Sequence, residues 1–114
     1  MITGNGIDII EIKRLEAAIA RQPRLLFRVF TTDELKYFKK RRYNIATIAG
    51  CFAAKEAAVK AAGCGFIKDV QISYDGNGKP LLTMKGKEKL HFFVSITHSK
   101  QYAAASVIAT EAVK

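Results

Sequence analysis

Four charged or titratable side chains in this 114-residue sequence have mostly apolar neighbours. Asp8 interrupts a run of isoleucines, and a carboxylate in such a segment must be paired, hydrogen-bonded or metal-bound, because burying a lone charge is costly. Glu56 lies in an alanine-rich stretch, and Lys60 follows it by four residues, so both would share one face of a helix. His98 ends an apolar segment with a strand-like pattern.

Each of these residues allows two interpretations. Glu56 and Lys60 form either a surface ion pair, worth about a few tenths of a kcal/mol, or a ligand and a phosphate-binding lysine that face a cleft. His98 is either a structural histidine at a strand end or a group that contacts a substrate. The sequence has no P-loop, and Gly4 and Gly6 lack the third glycine and the helix start of a dinucleotide-binding fingerprint.

Positive charge is concentrated in one window. The net charge is +9, and residues 13–42 carry ten basic residues against three acidic ones, which gives that window +7. Such a window attracts an acidic protein, a nucleic acid or a membrane surface, or it is a solvated face that aids solubility.

The composition excludes several classes of protein. Hydrophobic residues make up 49%, which is enough for a packed core, and the length predicts a single domain, residues 1–114. No apolar run approaches the ~20 residues that span a bilayer, and the first residues lack a signal-peptide pattern. Cys51 and Cys64 form no C-x-x-C pair, which argues against a zinc site and favours reduced cytoplasmic thiols.

The N-terminal elements follow from periodicity and capping signals. A first strand is predicted at 6–10, and the helix after it should end or kink at Pro23, which lacks an N–H. Thr31 and Glu34, three residues apart, predict a capping box. The short helix that they begin should end in the basic run at 39–42.

A central helix is predicted at about 45–62, with Ile48, Phe52 and Val59 on its apolar side. The glycines around Cys64 should end it. Further strands are predicted at 70–74, 81–84, 92–97 and 102–109, with a strong turn signal at 75–78. Helices first and strands later indicate an α+β fold with an antiparallel sheet.

Four motifs cover nearly the whole chain in order. They are G-I-D-I at 6–9, F-A-A-K-E-A-A-V-K-A at 52–61, G-K-P at 78–80, and S-I-T-H at 95–98 followed by Y-A-A-A. Together they resemble the motifs of holo-(acyl carrier protein) synthases, the short single-domain type of the 4′-phosphopantetheinyl transferase superfamily. Family members usually have arginine where this chain has Cys51, a difference that bears on one basic contact to coenzyme A.

The resemblance implies a fold of helices packed on a small antiparallel sheet, and a reaction. The reaction transfers 4′-phosphopantetheine from coenzyme A to a serine of apo acyl carrier protein, releases 3′,5′-ADP and supports fatty acid biosynthesis. Catalytic roles are implied for Asp8, Glu56, Lys60 and His98, with Asp8 and Glu56 as Mg²⁺ ligands. The residues expected to contact coenzyme A are Lys60, Gly63, Gly65, Lys79, Pro80 and His98.

The resemblance also implies the partners. Carrier proteins are acidic, so we expect four arginines of the first helical region to dock them: Arg14, Arg21, Arg24 and Arg28. Chains of this family form trimers with coenzyme A at subunit interfaces. Consecutive apolar residues at 92–94 point to opposite sheet faces, so the second face needs a partner. We therefore expect a cytoplasmic homotrimer that binds neither nucleic acid nor membrane.

Two competing classes of protein stay open at this point. An RNA- or DNA-binding module would need aromatic residues among the basic ones on a sheet face, and Tyr37, Phe38 and Tyr43 are predicted on a helix or loop instead. The other class is an inactive transferase homologue that has kept only a protein-interaction role.

Overall fold

The computed structural model describes residues 1–111, whose helices come before all but one of the strands. The elements are β1 (Ile2–Glu11), α1 (Ile12–Arg21), α2 (Leu25–Val29), α3 (Thr32–Lys40), α4 (Ile45–Ala62), a 3₁₀ turn (Ile67–Asp69), β2 (Val70–Tyr74), β3 (Pro80–Met84), β4 (Leu90–His98) and β5 (Tyr102–Glu111). The prediction of an α+β fold is confirmed. In the described part of the chain, no helix is long and apolar enough to cross a membrane.

The strands form two antiparallel sheets. β5 lies between β1 and β4, and β2 pairs with β3 in a second sheet. In the larger sheet, Asp8 is opposite Ala105, and Ala105 is opposite Ile96. Because neighbouring strands lie ~4.8 Å apart, about 10 Å separates Asp8 from Ile96 across the sheet.

The N-terminal helices are short and end where the sequence predicts. α1 ends at Arg21, just before Pro23, and a separate five-residue helix that the sequence analysis did not predict follows as α2. The Thr31 hydroxyl accepts a hydrogen bond from the Glu34 N–H at 3.2 Å, and the Glu34 carboxylate accepts one from the Thr31 N–H at 2.9 Å. The predicted capping box is therefore confirmed.

Helix α4 has the predicted bounds, but its buried surface differs from the prediction. Asn44 caps its start, and Gly63, with a φ of 82°, ends it. Ile48 is buried, and Phe52 and Val59 are half-buried and pack against the core, so the predicted apolar side is confirmed, but other sides of the helix are buried as well. The reason is that α4 packs against the larger sheet and also against α1 and β2. Small side chains fit these close contacts, and the buried alanines are Ala49, Ala53, Ala54, Ala57, Ala58 and Ala61.

Strand β1 lies directly on α4 because two of its residues have no side chain. A Cβ on Gly6 would lie 2.0 Å from the Ala57 carbonyl oxygen, and a Cβ on Gly4 would lie 2.0 Å from the Ala61 carbonyl oxygen. Asp8 shares this face of the strand, since burial alternates along β1. The glycines therefore bring Asp8 close to the second half of α4.

We predict that Gly6→Ala destabilises the protein by about 1–3 kcal/mol, the usual cost of overpacking a core. The added methyl group would force β1 away from a backbone carbonyl, which cannot move as a flexible side chain can. Gly76→Ala is the matched control, because a Cβ at Gly76 meets nothing within 4 Å. Urea unfolding measures both, and equal midpoints for the two variants would contradict the close β1–α4 contact.

Candidate active site

Asp8, Glu56 and Lys60 meet where β1 packs on α4. The Lys60 ammonium donates to Asp8 Oδ1 at 3.1 Å and to the Ile7 carbonyl oxygen at 3.0 Å. Of the three states expected for Asp8, which were paired, hydrogen-bonded or metal-bound, the structure shows an ion pair with a hydrogen bond. Lys60 forms its ion pair with the strand rather than with Glu56 along the helix, so the pair links two elements of the fold.

Asp8 and Glu56 line a cavity of about 540 Å³ beside β1. Arg14 and Tyr102 also line this cavity. Its apolar wall comes from α1, α2 and α4 and includes Leu15, Ala18, Leu25 and Phe52. The cavity thus combines three carboxylate residues, Asp8, Glu11 and Glu56, with an apolar surface next to the first predicted docking arginine.

The two carboxylates oppose each other's ionisation. Burial raises the pKa of Glu56 above its ordinary value near 4.5, the negative charge of Asp8 raises it further, and Lys60 lowers it. A divalent cation would relieve this repulsion, and Mg²⁺ commonly binds one or two carboxylates together with waters and substrate phosphates. Residues 1–111 hold no cluster of three or more His, Cys, Asp or Glu side chains that could bind a metal ion. A Mg²⁺ at this pair would take its other ligands from substrate and water.

His98 lies on the other flank of α4. It is exposed at the end of β4 and lines a cavity of about 300 Å³ together with Thr47 and Gly50 of α4. Gly50 lets the helix approach β4, because a Cβ there would lie 2.8 Å from Ile96 Cγ2. Within one chain, α4 and β5 therefore separate His98 from Asp8, and the four predicted catalytic residues do not share one cavity.

The residues predicted to contact coenzyme A are also dispersed. Pro80 lines the His98 cavity, and Lys79 precedes it in the β2–β3 turn, whereas Lys60 lies with Asp8. Gly63 and Gly65 follow the C-terminal end of α4. Since eighteen helical residues span about 27 Å, the glycines lie far along the helix from the turn of α4 that lines the His98 cavity.

Two tyrosines that were not predicted at this position line the His98 cavity. Tyr37 of α3 stacks on Tyr74 of β2 with ring centroids 4.3 Å apart, and the Arg41 guanidinium lies 5.1 Å from the Tyr37 ring centroid. Burial raises the pKa of Tyr74, so its hydroxyl stays neutral at physiological pH. Tyr74 lies on the same side of β2 as the buried residues Val70 and Ile72, and this two-residue spacing was the available signal.

A buried ion pair was also missed. Lys55, next to Glu56 in α4, lies 2.6 Å from Glu34, and both side chains are at most 1% exposed. The signal in the sequence was a lysine within an alanine-rich helix, because a lysine that such a helix buries needs a partner of opposite charge. The partner, Glu34, lies 21 residues earlier in the sequence. The capping box with Thr31 already accounted for a glutamate at that position.

The predicted docking arginines are all exposed along α1 and α2. Arg14 lies beside Glu56 in the first cavity, Arg21 ends α1, and Arg24 and Arg28 belong to the start and the body of α2. They form a basic surface that begins at the carboxylate cavity and extends away from it.

Comparison with known proteins identifies the family. The family model for the 4′-phosphopantetheinyl transferase superfamily matches residues 4–107. The chain is 45% identical to the holo-[acyl-carrier-protein] synthase of Clostridium tetani, over 99% of this chain and all of that protein, and 46% identical to that of Shouchella clausii, over 95% and 97%. The chain therefore belongs to this superfamily and, within it, to the holo-[acyl-carrier-protein] synthases.

Solved structures of the family have the same fold. The holo-(acyl-carrier-protein) synthase of Bacillus anthracis, in complex with CoA (3′,5′-ADP), aligns with a TM-score of 0.86 and 35% identity over 98% of this chain and 99% of that one. The Helicobacter pylori enzyme in complex with coenzyme A aligns with a TM-score of 0.83 and 30% identity over 93% and 99%.

Cys51 lies where the resemblance to the family led us to expect an arginine. It is fully buried in α4, and burial raises the pKa of its thiol well above the ordinary value. The residue therefore presents no charge to either cavity at neutral pH.

We predict that Glu56→Gln stabilises the protein at neutral pH in the absence of divalent cations. Folding raises the pKa of Glu56. At a pH above the pKa that Glu56 has in the folded protein, its ionised carboxylate therefore lowers the free energy of unfolding. This loss disappears at a pH below the pKa that Glu56 has in the unfolded chain. The melting-temperature advantage of Glu56→Gln should therefore shrink as the pH is lowered from about 8 to about 4. Thermal unfolding in EDTA measures it, and an advantage that grows on acidification would contradict the assigned repulsion.

Proposed function

We propose that this chain transfers the 4′-phosphopantetheine group of coenzyme A to a serine of apo acyl carrier protein. The serine oxygen attacks the β-phosphorus, the bond from that phosphorus to the bridging oxygen breaks, the serine proton is lost, and 3′,5′-ADP leaves. The observation that carries the proposal is the pair of Asp8 and Glu56 at one cavity, with Lys60 ion-paired to Asp8, in a chain of this family.

The chain's own residues position charge for this reaction. Asp8 and Glu56 would hold Mg²⁺, which when bound neutralises pyrophosphate oxygens and the charge that develops on the leaving group. Lys60 uses two of its three N–H donors on Asp8 and Ile7. The third is free to bind a phosphate, because just over half of the Lys60 side chain is exposed.

His98, Lys79 and Pro80 would bind another part of coenzyme A, and so would the loop with Gly63 and Gly65. Asp8 and His98 line different cavities of one chain, and we propose that a second protomer supplies one of the two halves. Relatives from Bacillus anthracis and Helicobacter pylori bind coenzyme A with this same fold.

The face of the larger sheet that points away from α4 suits this association. It exposes large apolar residues on all three strands, namely Ile7 (70% exposed), Ile9 (66%), Phe93 (54%) and Ile108 (39%). An apolar surface of this kind marks an interaction site, and closed cyclic symmetry would cover it without open-ended growth. We propose a homotrimer whose coenzyme A sites lie between protomers.

The cell compartment and the biosynthetic role follow from the same proposal. Cys51 and Cys64 are free thiols, as expected in the reducing cytoplasm. The product, a holo acyl carrier protein, carries the thiol arm that fatty acid biosynthesis requires. A nucleic-acid-binding role is less well supported, because Tyr37 contacts Tyr74 and Arg41 and offers no free stacking platform.

We predict that Asp8→Asn and Glu56→Gln each lower transfer by about a hundredfold or more, as loss of one charge-stabilising group in a preorganised site does. Asp33→Asn, which removes an exposed carboxylate outside both cavities, is the matched control and should transfer normally. The assay is the mass of an apo carrier protein after incubation with the chain, coenzyme A and Mg²⁺. Undiminished transfer in EDTA would contradict the metal role, and no transfer by the unmodified chain would contradict the proposed function.

We predict that Arg28→Glu raises the KM for carrier protein about fivefold at low salt, on the order of 1 kcal/mol for a rim charge. The KM for coenzyme A should hardly change, and the effect should weaken as salt screens the exposed charges. Lys85→Glu makes the same charge change outside α1 and α2 and should affect neither constant. Equal increases in both KM values would argue against a role of Arg28 in docking the carrier protein. Tight binding of random nucleic acid would favour an RNA- or DNA-binding module instead.

We predict that light scattering gives about three times the 12.6 kDa chain mass, as expected for a closed cyclic trimer. Ile108→Asp places a charge at the centre of the apolar face and should give monomers. Leu81→Asp, at an exposed apolar residue of β3 in the other sheet, should leave the oligomer intact. A fully active monomer would overturn the trimer.

A further inference from the structure

The buried pair of Lys55 and Glu34 joins three elements at one point. Lys55 Nζ donates to Glu34 Oε1 and to the Val70 carbonyl oxygen, both at 2.6 Å. Glu34 Oε2 accepts the Ile72 N–H at 2.7 Å. A single lysine of α4 therefore fixes the start of α3 and the backbone of β2.

Both elements continue directly into the wall of the His98 cavity. Tyr37 lies one helical turn after Glu34, and Tyr74 lies two residues after Ile72 on the same side of its strand. Their rings stack at 4.3 Å, and both residues line the cavity. The position of this aromatic wall relative to α4 thus depends on where Lys55 holds α3 and β2.

Stability alone does not account for a charged pair at this point. Replacing a buried ion pair by apolar residues is often neutral or stabilising, whereas breaking it by removing one partner is strongly destabilising. Apolar residues in place of Glu34 and Lys55 would not form the hydrogen bonds that join Lys55 to Glu34 and Val70, and Glu34 to Ile72. These bonds fix the angle at which α3 and β2 meet α4.

We propose that Glu34 and Lys55 are positioning residues for coenzyme A. Through Tyr37 and Tyr74, the pair sets the shape of the His98 cavity without touching the substrate. This inference rests on the proposed function, because it assigns the His98 cavity to coenzyme A.

The test is the double variant Glu34→Gln/Lys55→Met, which removes both charges together. Val107→Ala, a core change within β5 that lines neither cavity, is the control for general destabilisation. Steady-state KM values for coenzyme A and carrier protein are measured together with 3′,5′-ADP binding and urea unfolding. The double variant should raise the KM for coenzyme A and the Kd for 3′,5′-ADP about tenfold, since small displacements of binding groups have large effects. Its KM for carrier protein should stay at the wild-type value. Val107→Ala should keep wild-type KM values for both coenzyme A and carrier protein.

A wild-type KM for coenzyme A in the folded double variant would overturn the inference, as would equal increases in both KM values. If the double variant does not fold, Tyr74→Leu decides. It leaves the pair intact but removes the stacked ring, so it should give the same selective increase, and wild-type constants would overturn the inference. Absence of transfer by the wild-type chain would instead mean that the proposed function itself has failed.

Discussion

The arrangement of this protein depends on how closely α4 can approach the larger sheet. Gly4 and Gly6 leave room on β1 for the backbone carbonyls of α4, and Gly50 leaves room for Ile96 of β4. A helix packed at this distance needs small side chains, and α4 supplies a series of buried alanines. The positions of the carboxylates follow from this contact, because Asp8 continues the glycine face of β1 and Glu56 faces the same cavity from the helix.

The same contact separates the groups that would handle coenzyme A. A helix lying across three strands leaves one flank beside β1 and the other beside β4, so the Asp8 cavity and the His98 cavity open on different sides. The uncovered sheet face then has a clear role in the proposed reaction, since association through it would allow two protomers to bring unlike cavities together. Assembly and chemistry would in this way depend on one packing geometry.

Local signals predicted most of the elements, because capping, turns and periodicity are local. The capping box at Thr31, the helix end at Gly63 and the strand at 70–74 are all found where expected. Contacts between distant residues could not be predicted in this way. The Glu34–Lys55 pair and the separation of His98 from Asp8 depend on how elements pack, and alternation along one strand does not reveal which flank of a helix a residue lies beside.

A coenzyme A site that is built from two protomers can be tested by mixing two impaired variants. Asp8→Asn and His98→Ala chains, each expected to transfer far more slowly than the wild type when alone, are unfolded together and refolded as mixed oligomers. If the site lies between protomers, the mixture should recover about a quarter of wild-type transfer activity, because that share of interfaces in randomly mixed cyclic trimers unites two intact halves. A mixture as inactive as its two components would show that Asp8 and His98 act within the same chain, and would contradict the account.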